Sequence, residues 1–422
     1  MWFIIESNKR KTAIFLFFIT VFLLFFGAVL GFSFSTDLYE GTYYGTAIGA
    51  LISLMCLIFI IFYVNAKSSE FFLNQADAVK VCGDSMPVLR NVVEEMAISS
   101  ALGFVPKIYL IESPVPNAFA VGINEKNSAV AVTTGLLSIL NRDELQGVIA
   151  HEISHIKNKD TLYLMYSGVI LGVIIAVSDF IIRAFLRSSS RRSKGAGLGI
   201  FIAVILALLS PVIVRILYFT ISRKREFLAD ACACQYTRYP TGLASALYKI
   251  SRYEPAMTDK EFIMDEKAAS NKLLNVMYIH NFIQANKPKT FLSGLFTTHP
   301  SIDDRINILK SMGAADIEEY AKRFSIVVAN KNIISRNKLA SLNLAPIPVV
   351  VPAVVSMSVE EEQNQKIKEE RKTRQREAKD AYKQAKNYKI IKCDCETILK
   401  IPPEYNRSTV ICPHCKQVHE IK

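Results

Sequence analysis

The chain has 422 residues, of which 51% are hydrophobic and 21% are charged, and its formal net charge is +12. A mean hydropathy of +0.24 is high for a chain with this charge content, so the apolar residues must be concentrated in segments. This pattern argues against an ordinary soluble protein. Much of the basic excess lies beside apolar segments and in one C-terminal stretch, where attraction to anionic lipid is a simpler explanation than binding to nucleic acid.

The chain begins with two apolar runs, 12–32 and 45–64, that contain no charged residue. Each is long enough to cross a bilayer as a helix, and the first is too long for a cleaved signal peptide and ends without a small-residue cleavage site. The connection 33–44 carries acids but no Lys or Arg, whereas basic residues flank the other ends. The positive-inside rule therefore predicts a transmembrane hairpin, residues 1–66, with the rest of the chain in the cytoplasm.

Three apolar stretches rich in Val, Ile and Phe follow, at 107–112, 117–122 and 128–134. Turn residues separate them, so we predict a small antiparallel β-meander within a main domain that spans residues 67–335. The other elements of this domain are predicted to be helices.

Two further apolar runs, at about 161–182 and 195–219, are harder to assign. Their connection contains Arg183, Arg187 and further basic residues but no acid, so a simple hairpin would place these charges on the outer side, against the positive-inside rule. Full spanning and partial embedding both stay open.

A helix starting at Asn141 carries His151, Glu152 and His155. Positions i and i+4 lie on one helix face, so both imidazoles can bind one zinc ion, and the glutamate between them can act as general base on an attacking water. A solvated or packed pair of histidines is the alternative, because the motif is short enough to occur by chance.

The segment "EFLAD" offers a second pair of side chains at i and i+4, Glu226 and Asp230. Glu226 can complete a His, His, Glu ligand set, and Asp230 can orient an imidazole by accepting a hydrogen bond from its second nitrogen. Surface salt bridges are the alternative for both acids. Cys232 and Cys234 follow on the same helix and are predicted to be small buried residues.

The C-terminal part divides into a Pro-rich linker, 336–358, a charged helix, 359–389, and a cysteine module, 390–422. The charged helix is predicted to be solvated and not part of a core. Two closely spaced cysteine pairs, Cys393 with Cys395 and Cys412 with Cys415, predict a zinc ribbon in which zinc supplies the folding energy. Redox pairing is the alternative, and His414 or His419 could replace one ligand.

Several motifs, in this order, resemble the membrane zinc metalloproteases that include the heat-shock protease HtpX and, more distantly, the CAAX prenyl endopeptidases: "PNAFAVG", "DELQGVIAHEISHIKNKD", "EFLAD" and "THPSIDDRI". The resemblance implies that His151, His155 and Glu226 bind zinc and that Glu152 is the general base. It also implies roles for the following residues: Asn117, Ala118 and Phe119 in binding substrate backbone, and His299 and Arg305 in stabilising the oxyanion. A helix cap for His299 and a salt bridge for Arg305 are the alternatives.

These features predict an α+β fold, a mainly α-helical integral membrane metalloprotease with a small β-meander and a C-terminal zinc ribbon. The predicted function is that of a zinc endopeptidase of the HExxH plus ExxxD type, with one catalytic and one structural zinc and no small-molecule cofactor. Membrane or misfolded proteins are the expected substrates. The expected location is the inner membrane if the source is bacterial, with the active site and tail in the cytoplasm. A catalytically idle membrane adaptor, CAAX-type processing of prenyl proteins and a nucleic-acid role of the ribbon are the alternatives.

Overall fold

The computed structural model of the chain describes the following residues: 2–34, 40–81, 85–122, 124–187, 205, 225–253, 300–328, 360–386, 388–393, 395, 398–403, 405 and 409–420. Its helices are α1 Trp2–Phe34, α2 Glu40–Gln75, α3 Pro87–Ser99, α4 Thr134–Ile139, α5 Arg142–Lys157, α6 Asp160–Arg187, α7 225–237, α8 Pro240–Ser251, α9 Ile302–Lys310, α10 Ile317–Val327 and α11 Glu360–Ala385. Its strands are β1 Val79–Lys80, β2 Lys107–Ile111, β3 Ala118–Val121, β4 Ala129–Thr133, β5 Lys389–Lys392, β6 Ile398–Ile401, β7 Thr409–Ile411 and β8 Val418–Glu420.

The helices α1 and α2 pack against each other as a hairpin, and glycines allow their backbones to come close. A Cβ atom on Gly31 would lie 1.9 Å from the carbonyl oxygen of Gly45, so only glycine fits there. Small residues spaced four apart are typical of helix pairs in membranes. Within the described residues, Tyr43–Gln75 is long and apolar enough to cross a membrane, and Leu16–Phe32 is apolar but shorter.

The main sheet has the strand order β1-β2-β4-β3, which corrects the predicted meander. β2 and β4 are parallel, β3 pairs with β4 in the antiparallel direction, and β1 pairs with the other edge of β2. The predicted strands themselves are present. Their order differs because β4 lies between β2 and β3, so β2 and β3 are consecutive in the sequence but are not neighbours in the sheet. The strand β1 has only two residues, which is too short to be recognised from a sequence pattern.

Both faces of this sheet are covered, which explains why every residue of β3 and β4 is buried. One face packs on the helices α3 and α5, and the other on α2 and α6. The sheet therefore lies between the helix that carries the histidines and the end of the N-terminal hairpin.

The helix α5 packs between α3 and α8 in the larger core. A Cβ atom on Gly147 would lie 2.9 Å from the backbone of Leu243 in α8, so glycine permits this close approach. The tight contact fixes where α5 lies relative to α8.

The helix α11 is not fully solvated, in contrast to the prediction from its charge. Ala378, Ala381 and Tyr382 are buried in the larger core, beside α4 and the strands β1 and β2. Two alanines and a tyrosine, spaced three and four residues along the helix, form a narrow stripe that is enough to dock one helix face. The remaining described side chains of α11 are partly or fully exposed.

Other predicted segments have different outcomes. The apolar run at 161–182 lies within the helix α6, and α2 extends past the predicted hairpin boundary to Gln75. The run at 195–219, apart from residue 205, and the linker 336–358 lie outside the described residues.

Candidate metal centres

The helix α5 has a firmly fixed start. The side chain of Asn141 accepts a hydrogen bond from the backbone N–H of Glu144, and the Glu144 carboxylate accepts one from the backbone N–H of Asn141, which is a capping box. The same carboxylate also binds Lys249 and Ser245 of α8. The first turn of α5 is therefore tied to α8, on the N-terminal side of the histidines.

His151, His155 and Glu226 converge as the sequence predicts. The two Nε2 atoms are 3.3 Å apart, and each lies 3.6 Å from a different oxygen of the Glu226 carboxylate. Zinc ligands about 2.0–2.1 Å from a tetrahedral ion are separated by about 3.3 Å, so these spacings fit a zinc ion. All three side chains are buried.

Asp230 orients His151 from behind. Its Oδ1 lies 2.9 Å from Nδ1 of His151, which leaves Nε2 directed at the cluster. Arg305 of α9 donates two hydrogen bonds, of 2.8 and 2.7 Å, to the carboxylate of Asp230. The Tyr320 hydroxyl of α10 donates a third hydrogen bond to it, at 3.1 Å. The guanidinium of Arg305 is fully buried and also lies 3.6 Å from Glu226.

Asp160 holds His155 in the corresponding way. Its Oδ2 lies 3.1 Å from Nδ1 of His155, and Arg225 lies 3.5 Å from its Oδ1. The Arg225 guanidinium also stacks over the ring of Tyr163 at 4.0 Å, a cation–π contact. Each histidine is thus oriented by a buried carboxylate, and each carboxylate is paired with a buried arginine.

The electrostatics of the cluster match this network. Burial lowers the pKa of His151, but its contacts with Asp230 and Glu226 outweigh burial and raise the pKa to about 9. Burial would raise the pKa of Asp230, but Arg305 and His151 outweigh it and lower that pKa. Without a metal ion, a proton therefore competes for the ligand nitrogen of His151.

Glu152 and the strand β3 complete the surroundings of the cluster. Glu152 is buried and directly follows the ligand candidate His151 on α5. β3 lies against α5 and ends the sheet on that side. The Asn117 carbonyl accepts a hydrogen bond from the N–H of Thr133, so by strand alternation the backbone groups of Ala118 and Ala120 point away from β4. The N–H of Ala118 donates to the side-chain oxygen of Asn117, which a substrate carbonyl would replace as acceptor.

The structure places Arg305 differently from the prediction of an oxyanion donor. Its guanidinium donates two hydrogen bonds to the carboxylate of Asp230, so Arg305 forms the salt bridge that was the alternative to the oxyanion role. Asp230 lies 75 residues before Arg305 in the sequence. His299 lies outside the described residues. Cys232 and Cys234 are buried, as the sequence predicts, and Asn158 donates a hydrogen bond to the sulfur of Cys232.

Sequence reasoning missed Asp160, Arg225 and Tyr320. One signal was available for Asp160, because it is a carboxylate at the start of the apolar helix α6, where a buried acid needs a partner. Arg225 directly precedes Glu226, but nothing in the sequence shows that it contacts Asp160.

The four tail cysteines form a second cluster, whose sulfur atoms all lie within 4.8 Å of one another. The sulfurs of Cys393 and Cys415 are 3.3 Å apart, and those of Cys395 and Cys412 are 3.6 Å apart. Thiolates about 2.3 Å from a tetrahedral zinc ion are separated by about 3.8 Å, so the cluster has the size of a four-cysteine zinc site.

These sulfurs come from two small β-hairpins, β5–β6 and β7–β8. Among the described residues, the buried cluster that accompanies them contains Leu399, Cys393 and Cys412, with Ile391 and Val410 partly buried against it. Within the described residues, the tail cluster and the His, His, Glu cluster are the two groups with a metal-binding arrangement.

Comparison with known proteins agrees with the resemblance seen in the motifs. The sequence model of peptidase family M48 matches residues 85–313, which is more than half of the chain. A protease HtpX homolog from Dictyoglomus turgidum is 42% identical over 73% of this chain and 94% of its own length. Homologs of the same name from Dictyoglomus thermophilum and Listeria innocua are each 38% identical over 73% of this chain and over 94% and 98% of their own lengths.

A crystal structure of Ste24p from S. mikatae aligns with 73% of this chain and 67% of its own, with a TM-score of 0.39 and 19% sequence identity. The family match covers α5, α7 and α9, the helices that bring the His, His, Glu cluster together. The chain therefore belongs to peptidase family M48, and it is an HtpX-like membrane metalloprotease.

Proposed function

We propose that the protein is a zinc endopeptidase that hydrolyses peptide bonds of membrane or unfolded proteins. The observation that carries this proposal is the convergence of the two Nε2 atoms and the Glu226 carboxylate in a buried cluster beside Glu152. Three nitrogen or oxygen ligands leave a zinc ion one open position, as in catalytic zinc sites.

His151, His155 and Glu226 would hold the zinc ion. When bound, zinc polarises a carbonyl group and lowers the pKa of water toward neutrality. Glu152 takes the proton from the attacking water and transfers it to the nitrogen of the departing amine. A carboxylate on the helix position next to a ligand is suited to this task, because its reach to the reacting water is set by the same helix.

The buried ion pairs support this chemistry by fixing the ligands. Asp230 and Asp160 hold the two imidazoles with Nε2 facing inward, and Arg305 and Arg225 hold the two carboxylates. We assign Arg305 this positioning role in place of the oxyanion role, because its donors face Asp230 and Glu226.

Substrate binding is proposed at the outer edge of β3. The backbone groups of Ala118 and Ala120 face away from β4, so an extended peptide can add to this edge beside α5 and the candidate metal cluster. Backbone recognition of this kind requires an extended substrate segment, which favours unfolded or locally unfolded proteins. Asn117 and Phe119 pair with β4 and would support the strand from the inner side.

The orientation in the membrane follows from the charges of the hairpin. The connection between α1 and α2 carries acids but no basic residue, and basic residues lie at 9–11 and at Lys67. We propose that the catalytic helices and the C-terminal tail face the cytoplasm. Labelling of a cysteine introduced at Ser35 by a membrane-impermeant reagent in intact cells tests this orientation, with the unsubstituted chain as the control. Labelling of the introduced cysteine only after lysis would contradict it.

Glu152→Gln tests the catalytic mechanism. We expect the purified full-length variant in detergent to keep its zinc content but to cleave an unfolded model protein about 10²–10⁴-fold more slowly, because the general base is lost. Zinc content is the control for an intact site. Undiminished cleavage would exclude the mechanism, and a wild-type protein that binds zinc without cleaving would favour the idle adaptor.

A structural zinc ion is proposed for the second cluster, held by Cys393, Cys395, Cys412 and Cys415. The sulfur separations and the small interior of the two hairpins support this assignment. Full-length wild-type protein should therefore contain two zinc ions per chain.

A further inference from the structure

The C-terminal arm, defined as α11 with the hairpins β5–β8, lies beyond the residues matched by the family model. Its contacts with the rest of the chain are specific. Three side chains of α11, Ala378, Ala381 and Tyr382, are buried in the same core cluster as α5 and α8. Glu, Lys, Arg and Gln favour a helix by themselves, so the role of this buried stripe is to attach the helix to the protease domain.

The helix α11 contacts two junctions of the protease domain. At the first junction, between α2 and β1, the Tyr382 hydroxyl donates a 3.0 Å hydrogen bond to the Asp77 carboxylate, and Lys386 forms a 2.7 Å ion pair with it. Asp77 has a φ of +50°, in the left-handed region that Asp and Asn adopt more readily than most residues other than glycine. The arm therefore contacts the turn where the N-terminal hairpin meets the sheet.

The second junction lies between α4 and α5. The Arg374 guanidinium donates a hydrogen bond to the carbonyl of Leu140, the residue directly before the N-cap Asn141 of α5. A charged donor on a helix-terminal carbonyl contributes more than a neutral one. This contact reaches the start of the helix that carries His151 and His155.

The hairpins are tied to α11 at its C-terminal end. β5 begins within four residues of the end of α11, and Lys400 of β6 forms an ion pair with Asp380 of α11. The described residues of the hairpins form only a small buried apolar cluster, so we infer that the order of the hairpins depends on the four cysteines. An ordered ribbon thus holds the end of α11 in place, next to Tyr382 and Lys386.

We propose that the C-terminal arm is a zinc-dependent brace of the protease domain. Zinc bound by the four cysteines orders the hairpins, the hairpins hold the end of α11, and α11 fixes the turn at Asp77 and the start of α5. This inference rests on the proposed structural zinc but not on the catalytic mechanism. Loss of the tail zinc would loosen the protease domain while its own ligands stay intact.

The test compares the full-length chain in detergent with three variants, Cys412→Ser, Arg374→Ala and Arg376→Ala, all carrying Glu152→Gln to prevent self-cleavage. Arg376 is the matched control, because it lies two residues from Arg374 on α11 and is exposed. Zinc per chain and hydrogen exchange of the backbone at 79–80 and 140–145 are measured.

We expect Cys412→Ser to hold one zinc fewer than its parent and to exchange roughly tenfold faster at both junctions. Arg374→Ala should keep its zinc and exchange faster at 140–145, and Arg376→Ala should match the parent. Unchanged exchange at both junctions after loss of the zinc would overturn the brace. If the Glu152→Gln parent contains disulfides among the tail cysteines and no tail zinc, the brace does not depend on metal. If hydrogen exchange at 140–145 is unchanged in Arg374→Ala, α11 does not stabilise the start of α5.

Discussion

The two candidate metal-binding clusters of this chain are built in opposite ways. His151, His155 and Glu226 lie on helices of the largest core, and buried carboxylates and arginines hold them in place without any ion. The tail cysteines lie on two short hairpins with few buried side chains among their described residues, and Cys415 is exposed. The first site is preorganised by the fold, whereas in the second the metal would itself be the core.

Removal of metal should produce the largest difference in hydrogen-exchange protection between the two clusters. Chelation of the full chain in detergent is expected to abolish the exchange protection of β5–β8, because structural zinc contributes about 10–16 kcal/mol to the folding of such modules. The helices α7 and α5, beyond its first turn, should stay protected. Equal loss of protection in both regions, measured by hydrogen exchange, would contradict the comparison.

Arg305→Ala tests whether ion pairs hold the first site. The substitution leaves Asp230 buried without its counter-charge, so we expect a loss of about 3–5 kcal/mol in the free energy of unfolding. The matched control is Arg323→Ala, which removes an ion pair with Glu319, one turn earlier on α10. The Arg323 side chain is 39% exposed, so a loss of at most about 1 kcal/mol is expected. Thermal unfolding in detergent measures both, and similar losses would argue against the buried network.

Asp160→Ala separates ligand orientation from general stability. We expect the affinity of the catalytic site for zinc to fall about 10–100-fold in competition with a fluorescent chelator, because His155 loses its orienting acceptor. Asp160→Asn keeps an acceptor oxygen and should lie between this variant and the wild type. The tail zinc is the internal control, and unchanged affinity at the catalytic site would rule out a positioning role for Asp160.

Gly147→Ala tests the packing that places α5. Alanine favours a helix by about 1 kcal/mol over glycine, but its Cβ would meet the backbone of Leu243 at 2.9 Å, and overpacking of this kind costs about 1–3 kcal/mol. A net loss of up to about 2 kcal/mol in the free energy of unfolding is expected from these two effects, measured by thermal unfolding in detergent. A more stable variant would show that α5 and α8 can separate without cost.

Much of the first site was predictable because its geometry is local. Spacing of four residues on a helix puts His151 with His155, and Glu226 with Asp230, on one face each. The partners of Asp230 and of His155 were not predictable in this way, since Arg305 comes from another helix and Asp160 from the start of α6. A salt bridge for Arg305 was one of the alternatives, but the acid that it contacts is distant in sequence.

Strand positions were likewise predictable, whereas the strand order was not. Apolar and β-branched stretches mark β2, β3 and β4, but which strands pair depends on contacts that the local pattern does not contain. The docking of α11 was likewise not predictable, because the prediction of a solvated helix was based on its charge content and not on the short stripe that includes Ala378 and Tyr382. A narrow apolar stripe becomes informative only when a surface that it fits is known.

The sequence by itself determined the candidate metal ligands, their spacing on helices, the apolar hairpin and the membership of peptidase family M48. These depend on residue type and on helix periodicity, which are properties of the chain alone. Only the tertiary structure decided how the ligands are held and what the tail contacts. Buried ion pairs and helix docking join residues far apart in the chain, and their stability comes from exclusion of water by the whole fold.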